Sequence, residues 1–132
     1  MPLLPAEGPF RQVVRSGGLL FCSGIVCADV NGAEGAIGDI AAETRAVLTA
    51  LDELLQQHGS ALARVVRADV HIADITLKPA MDAVYRTFFS ADGAPARTTV
   101  GVTGLYGGCL VEITVVAEVV AEVVAGVVAG AA

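Results

Sequence analysis

Residues 64–73 alternate cleanly in character. Val66, Ala68, Val70 and Ile72 fall on one side, and Val65, Arg67, Asp69 and His71 on the other. A period of two is that of a half-buried strand, whose apolar face needs a covering layer. Two segments of helical period can supply the cover. In the first, Asp39 caps a run whose apolar positions Ile40, Val47, Leu48, Leu51, Leu54 and Leu55 recur at helical spacing, with His58 in its last turn and Gly59 as a stop. The second starts near Asp74 or Thr76, tolerates Pro79 in its first turn, and carries the stripe Met81, Val84, Tyr85, Phe88 and Phe89. Strands at 13–15 and 19–24 read as a hairpin about Gly17-Gly18, and 28–38 reads as a loop. Strands at 97–103 and 110–120 flank the glycine-rich turn GLYGG. The order ββ-α-β-α-ββ predicts a two-layer α+β domain, a mixed sheet with both helices on one face. The uncovered face is then expected to become an oligomer interface.

Composition narrows the functions open to such a domain. The chain has 132 residues, enough for one core; 55% are hydrophobic, which excludes disorder. Eight Lys and Arg against fourteen Asp and Glu, net −6, argue against a nucleic-acid partner, and 5% aromatics argue against a stacking platform. Cys22, Cys27 and Cys109 form no Cys-x-x-Cys pair and lie far in sequence from His58 and His71, so no metal site is expected. They read as three buried thiols in a cytoplasmic protein. The N-terminus MPLLPAEGPF has neither the basic nor the long apolar stretch of a signal peptide. The apolar stretch 115–132 is interrupted by Glu118 and Glu122, so no membrane partner is expected. Residues 1–120 are read as a single domain and 121–132 as a low-complexity Ala/Val/Gly tail.

No catalytic triad motif, phosphate loop or GxGxxG occurs in the sequence. Candidates come from loops and strand edges: Gly8-Pro9-Phe10, Ser23-Gly24, Pro95-Ala96-Arg97 and Val111-Glu112-Ile113. Arg97 opens a β-rich run after a proline loop; its guanidinium fork suits a carboxylate, and a solvent-facing strand-end Arg is the structural alternative. Glu112 interrupts an apolar strand, either as an outward-facing carboxylate or as a functional one. A hairpin about Tyr106-Gly107 would set Arg97, Thr99 and Gly101 on one face with Glu112, Thr114 and Val116, leaving Arg97 on the order of 13 Å from Glu112. A longer turn would bring the two together. His71 reads as a solvated surface histidine rather than a general base.

The segments GPFRQVVRSGGLLFCSG, GDIAAETRAVLTALDELL, VVRADVHIADI, MDAVYRTFF, PARTTV and LVEITVVA follow in an order that resembles the Rid (YjgF-type) imine/enamine deaminase family. The resemblance spans about residues 8–120, and PAR followed by LVEI is its most specific part. It implies a chorismate mutase-like fold and a homotrimer with sites between subunits. It also implies hydrolysis of 2-imino or 2-enamino acids to 2-keto acids and ammonia, without a cofactor. Matched position by position, Arg97 corresponds to the carboxylate-binding arginine, and Glu112 to the glutamate that positions water. Ser23 corresponds to a serine in the cleft, and Thr99 to a small residue whose backbone lines the site. Phe10 stands where a tyrosine is usual, Ile25 where a polar residue is common, Asp82 where an asparagine is found, and Gly101 and Gly104 where a glutamate and an arginine are. The alternatives are a weakly catalytic or non-catalytic trimer that binds small carboxylates, and a Rid-type enzyme for a bulkier enamine.

Overall fold

The structure is a computed structural model that describes residues 3–120 and the backbone of 122–124 and 127–129. Strands β1 (Val13–Ser16), β2 (Leu19–Cys22), β3 (Ile25–Val26), β4 (Val65–Ile72), β5 (Ala96–Gly101) and β6 (Val111–Glu118) form one sheet in the order β1-β2-β6-β4-β5, with β3 beside β6. Helices α1 (Ile40–Gln57) and α2 (Lys78–Phe88) pack together over the sheet. The α+β class, the mixed sheet and the two helices are as the sequence predicts.

Asp39 starts α1 by accepting a hydrogen bond from Ala42 N at 3.1 Å. Val47, Leu48, Leu51 and Leu55 of α1 are buried against Val70 and Ile72 of β4 and Ile113 and Val115 of β6, with Met81 of α2 closing the core. Gly59, at φ +78°, ends the helix as expected. Helix α2 begins at Lys78, later than Asp74 or Thr76, because a 3₁₀ turn over Ile75–Leu77 comes first and Asp74 accepts from Thr76 N within it. Loop 28–38 is likewise organised by 3₁₀ turns.

Two expectations about the strands are corrected. Val65 is buried (4% exposed) and Val66 exposed (41%), the reverse of a simple alternation. The register of β4 against β6 shifts between Val65 and Arg67, so one extra residue inverts the parity at the start of the strand. The last two strands form no hairpin. β4 lies between them, antiparallel to β6 and parallel to β5, with Val70 level with both Ile113 and Thr99. Segment 102–110 passes over the end of β4 instead, where Val102 N donates to Ile72 O and Ala73 N to Leu110 O. Gly107 and Gly108, both at φ +71°, turn the chain there.

The sheet face away from the helices carries Phe21, Val66 and Val100, all exposed, among Arg67, Asp69, His71, Thr98, Glu112 and Thr114. Beyond Glu118, the backbone of β7 (Glu122–Val124) and β8 (Val127–Ala129) pairs as a separate antiparallel ladder. The rest of the expected tail over 121–132 lies outside the described residues.

Candidate active site

The candidate residues fall into two groups on opposite sides of the sheet. Glu112 is level with His71 of β4 and Val26 of β3. It lines a cleft of about 710 Å³ together with Phe10, Ser23, Gly24, Asp29 and Tyr106. Gly24 leaves the room these side chains occupy: a Cβ on it would come within 2.8 Å of both Glu112 Cδ and Thr114 Oγ1. Ser23 Oγ donates to Arg11 O at 2.7 Å, so its proton is committed and its lone pairs remain to accept. Phe10 is half exposed at the cleft rim, and a Cβ on Gly8 would sit 2.5 Å from its ring.

Arg97 and Thr99 lie on the helix side of β5, because Arg97 is level with the buried Ala68 and parallel partners face the same way. Arg97 and Glu112 therefore do not share a face, contrary to the hairpin expectation. They are two strands and three positions apart, on the order of 14 Å between backbones. Arg97 stacks on the Tyr85 ring at 4.7 Å and pairs with Asp82 Oδ1 at 2.7 Å. Lys78 Nζ holds the other oxygen of Asp82 at 2.7 Å. Burial pushes the Asp82 carboxyl up, but Arg97 and Lys78 outweigh it and hold it below the usual carboxylate range. Burial pushes the Tyr85 phenol up, against the opposing pull of Arg97. Tyr85 OH and Thr99 Oγ1 are buried with no hydrogen-bond partner. Asp82 Oδ1 is matched to the guanidinium as an ion pair. The guanidinium already faces one carboxylate, and beside it lie two buried hydroxyls without partners, so the corner has the donors that recognise a carboxylate.

His71 lies on the open face as expected, its side chain about one-third exposed. Its Nδ1 is out of contact with solvent, has no hydrogen-bond partner, and lies 3.6 Å from Glu112 Oε1. Tyr106, mostly exposed on the cleft wall, joins the site from the glycine-rich turn, and a large aromatic within such a turn is the sequence signal that marks it. A second hollow of about 430 Å³ over loop 32–36 and α1 is lined by small residues with Arg45 and contains none of the candidates. Among the described residues no three His, Cys, Asp or Glu side chains gather as a metal site, and no helix is long and apolar enough to cross a membrane. Cys22, Cys27 and Cys109 are free and buried, and burial pushes the Cys22 and Cys27 thiols up to about 11.

This two-layer architecture is that of the YjgF, chorismate mutase-like proteins. A YjgF protein from E. coli superposes with a TM-score of 0.78 at 27% identity, covering 86% of this chain and 91% of that one. The Rid-family protein YyfA from Yersinia pestis gives 0.78 at 32% identity over 86% and 90%. The chain belongs to the Rid/YjgF family, whose family model, described as endoribonuclease L-PSP, matches residues 3–119. Among its relatives, the mitochondrial protein mmf2 of Schizosaccharomyces pombe is 40% identical over 97 residues, 74% of this chain and 75% of that protein. The 2-iminobutanoate/2-iminopropanoate deaminase of Dermatophagoides farinae is 32% identical over 113 residues, 85% and 88% of the two chains.

Proposed function

We propose that this protein hydrolyses small 2-imino or 2-enamino acids to 2-keto acids and ammonia, in sites shared between the subunits of a homotrimer. The observation that carries the reading is the Arg97 corner: a stacked, oriented guanidinium next to the unpartnered hydroxyls of Tyr85 and Thr99. A substrate carboxylate binds the guanidinium fork alongside Asp82. Its α-carbon is then fixed relative to an attacking water. Glu112 takes a proton from that water as the oxygen bonds to the C=N carbon. Glu112 hands that proton to nitrogen, giving the carbinolamine; the hydroxyl proton then passes through Glu112 to the same nitrogen as the C–N bond breaks, so the C=O bond forms and ammonia leaves the keto acid. Because Arg97 and Glu112 face opposite ways within one chain, one subunit supplies the carboxylate corner and its neighbour the Glu112 cleft. The apolar Phe21, Val66 and Val100 on the open sheet face give the subunits a surface to bury. The deaminase name of the Dermatophagoides farinae relative supports the chemistry. The net charge of −6 weighs against the nuclease that the family description mentions.

One observation favours a second reading, a carboxylate-binding protein with little turnover: Asp82 already places a carboxylate on Arg97 at 2.7 Å. A coupled assay separates the two. An amino-acid oxidase generates 2-iminobutyrate or 2-iminopropionate in place, and keto-acid release is followed with and without the protein. Acceleration supports the deaminase. Binding of the keto acid without acceleration supports the binding protein.

A further inference from the structure

We propose that His71 is a positioning residue for Glu112, one that holds its carboxylate in the orientation that receives the water proton. The inference rests on the reading that Glu112 acts on water. His71 and Glu112 are direct partners across the β4–β6 ladder, both about one-third exposed, on the open face of the sheet. His71 Nδ1 is shut off from solvent, lacks any hydrogen-bond partner, and lies 3.6 Å from Glu112 Oε1. A buried ring nitrogen in that state is destabilising unless it finds an acceptor, and Glu112 lies only a few tenths of an ångström beyond hydrogen-bond reach.

The surroundings leave Glu112 as the partner. On the histidine's own strand, Arg67 and Asp69 are engaged with each other at 2.9 Å, and Arg67 also donates to Thr98 of β5 at 2.6 Å. From β5 the residue level with His71 is Val100, which carries no charge. From β6 the residue level with it is Glu112. The bare Cα of Gly24 leaves the space in which the carboxylate lies. With the imidazole proton on Nδ1, His71 donates to Oε1, fixes the carboxylate's rotation, and leaves Oε2 for the water in the cleft. The carboxylate–imidazole contact thereby does for Glu112 what a hydrogen-bonded second group does for any general base: it selects one rotamer before the substrate arrives.

The test has two arms. The first uses no substrate. Protein labelled with 15N-histidine is compared with its Glu112→Gln form by NMR; the chain has two histidines, so His58→Gln assigns the signals. The His71 Nδ1 resonance is expected to move on Glu112→Gln while that of His58 stays. An unmoved His71 resonance overturns the proposal. The second arm is kinetic. His71→Phe should lower kcat on the order of ten-fold, part of the roughly 10²–10⁴ a positioned base supplies, with KM nearly unchanged because Arg97 holds the carboxylate. His71→Asn puts an amide N–H where Nδ1 was and should recover most of that loss. Equal losses in the Phe and Asn forms, or none in either, overturn it. A wild-type protein inactive on every imine counts against the deaminase reading, and the NMR arm then decides the histidine contact by itself.

Discussion

Arg97 is held from two directions, by the Tyr85 ring and by Asp82, so its fork is oriented before any ligand arrives. Arg97→Ala should abolish keto-acid binding and turnover while the fold survives, as judged by circular dichroism and calorimetric titration. Arg97→Lys should restore little, since a point charge cannot reproduce a planar fork; full activity in either form would remove Arg97 from the site. Asp82 gives a second expectation. Its ionised form is favoured in the folded protein, so it adds stability above the ordinary aspartate value of about 3.9, and the contribution is lost as pH falls through the lower folded value. Asp82→Asn should therefore melt lower than the wild type at neutral pH, with the gap closing in acid; a gap constant with pH would show that the pair contributes nothing electrostatic. Gly24→Ala should leave the fold standing, because the atoms a methyl would strike are the ends of the Glu112 and Thr114 side chains. It should lower kcat by pushing the carboxylate off its position, and an unchanged kcat would separate Glu112's orientation from turnover. In the sequence Glu112 stands out as a charge in an apolar strand and Arg97 as a guanidinium opening a β-rich run after a proline loop, whereas Ser23-Gly24 stands out only as a strand-edge pair that matches the family. Nothing there marks Asp82 as the partner of Arg97, because residues fifteen apart on a helix and a strand meet only through tertiary packing. Strand parity likewise places His71 on the open face, but it carries no sign that Glu112 lies beside it.

At the scale of elements, the tie between α1 and β6 rests on a buried acid. Glu43, fully buried in α1, accepts from Gly38 N at 2.8 Å through one oxygen, and from Leu110 N at 2.9 Å and Val111 N at 3.4 Å through the other. It pins the helix entry and the start of β6, two residues before Glu112. Glu43→Gln replaces one accepting oxygen with a donor that faces a backbone N–H. It should reduce stability by about 1–3 kcal/mol in urea unfolding, the range for a buried group left unmatched. A change within error would mean water serves those amides equally well. Nothing in the periodicity of 40–55 announced this, since Glu43 looks like an ordinary first-turn acid. The helices themselves were legible because caps and a 3.6-residue period are local signals. Strand order is not local. β4, the strand with the cleanest alternation, is paired on both edges, and that removed the expected β5–β6 hairpin. Its bulge after Val65 was equally invisible, since an added residue changes parity without changing composition.

At the scale of the molecule, the separation of Arg97 from Glu112 within one chain ties the proposed chemistry to assembly. Within one chain Arg97 faces the helices and Glu112 faces away from them, so a single subunit cannot bring both to one substrate. In the proposed trimer, each site takes Arg97 from one chain and Glu112 from the next. Light scattering should then give three times the chain mass at micromolar concentration, and a stable monomer would end the shared-site mechanism. Subunit mixing is the sharper experiment. Arg97→Ala and Glu112→Gln proteins should each be nearly inactive alone. Unfolded together in equal amounts and refolded, they form mixed rings in which some interfaces join an intact Arg97 to an intact Glu112. Random assembly makes about one quarter of all interfaces of this kind, so the mixture should recover about one quarter of wild-type turnover. Were both groups to act on substrate within the same chain, every site would still carry one lesion, and the mixture would stay as inactive as its parents. A control mixed without unfolding fixes the exchange rate, so absent recovery after verified exchange counts against the shared site rather than against slow mixing.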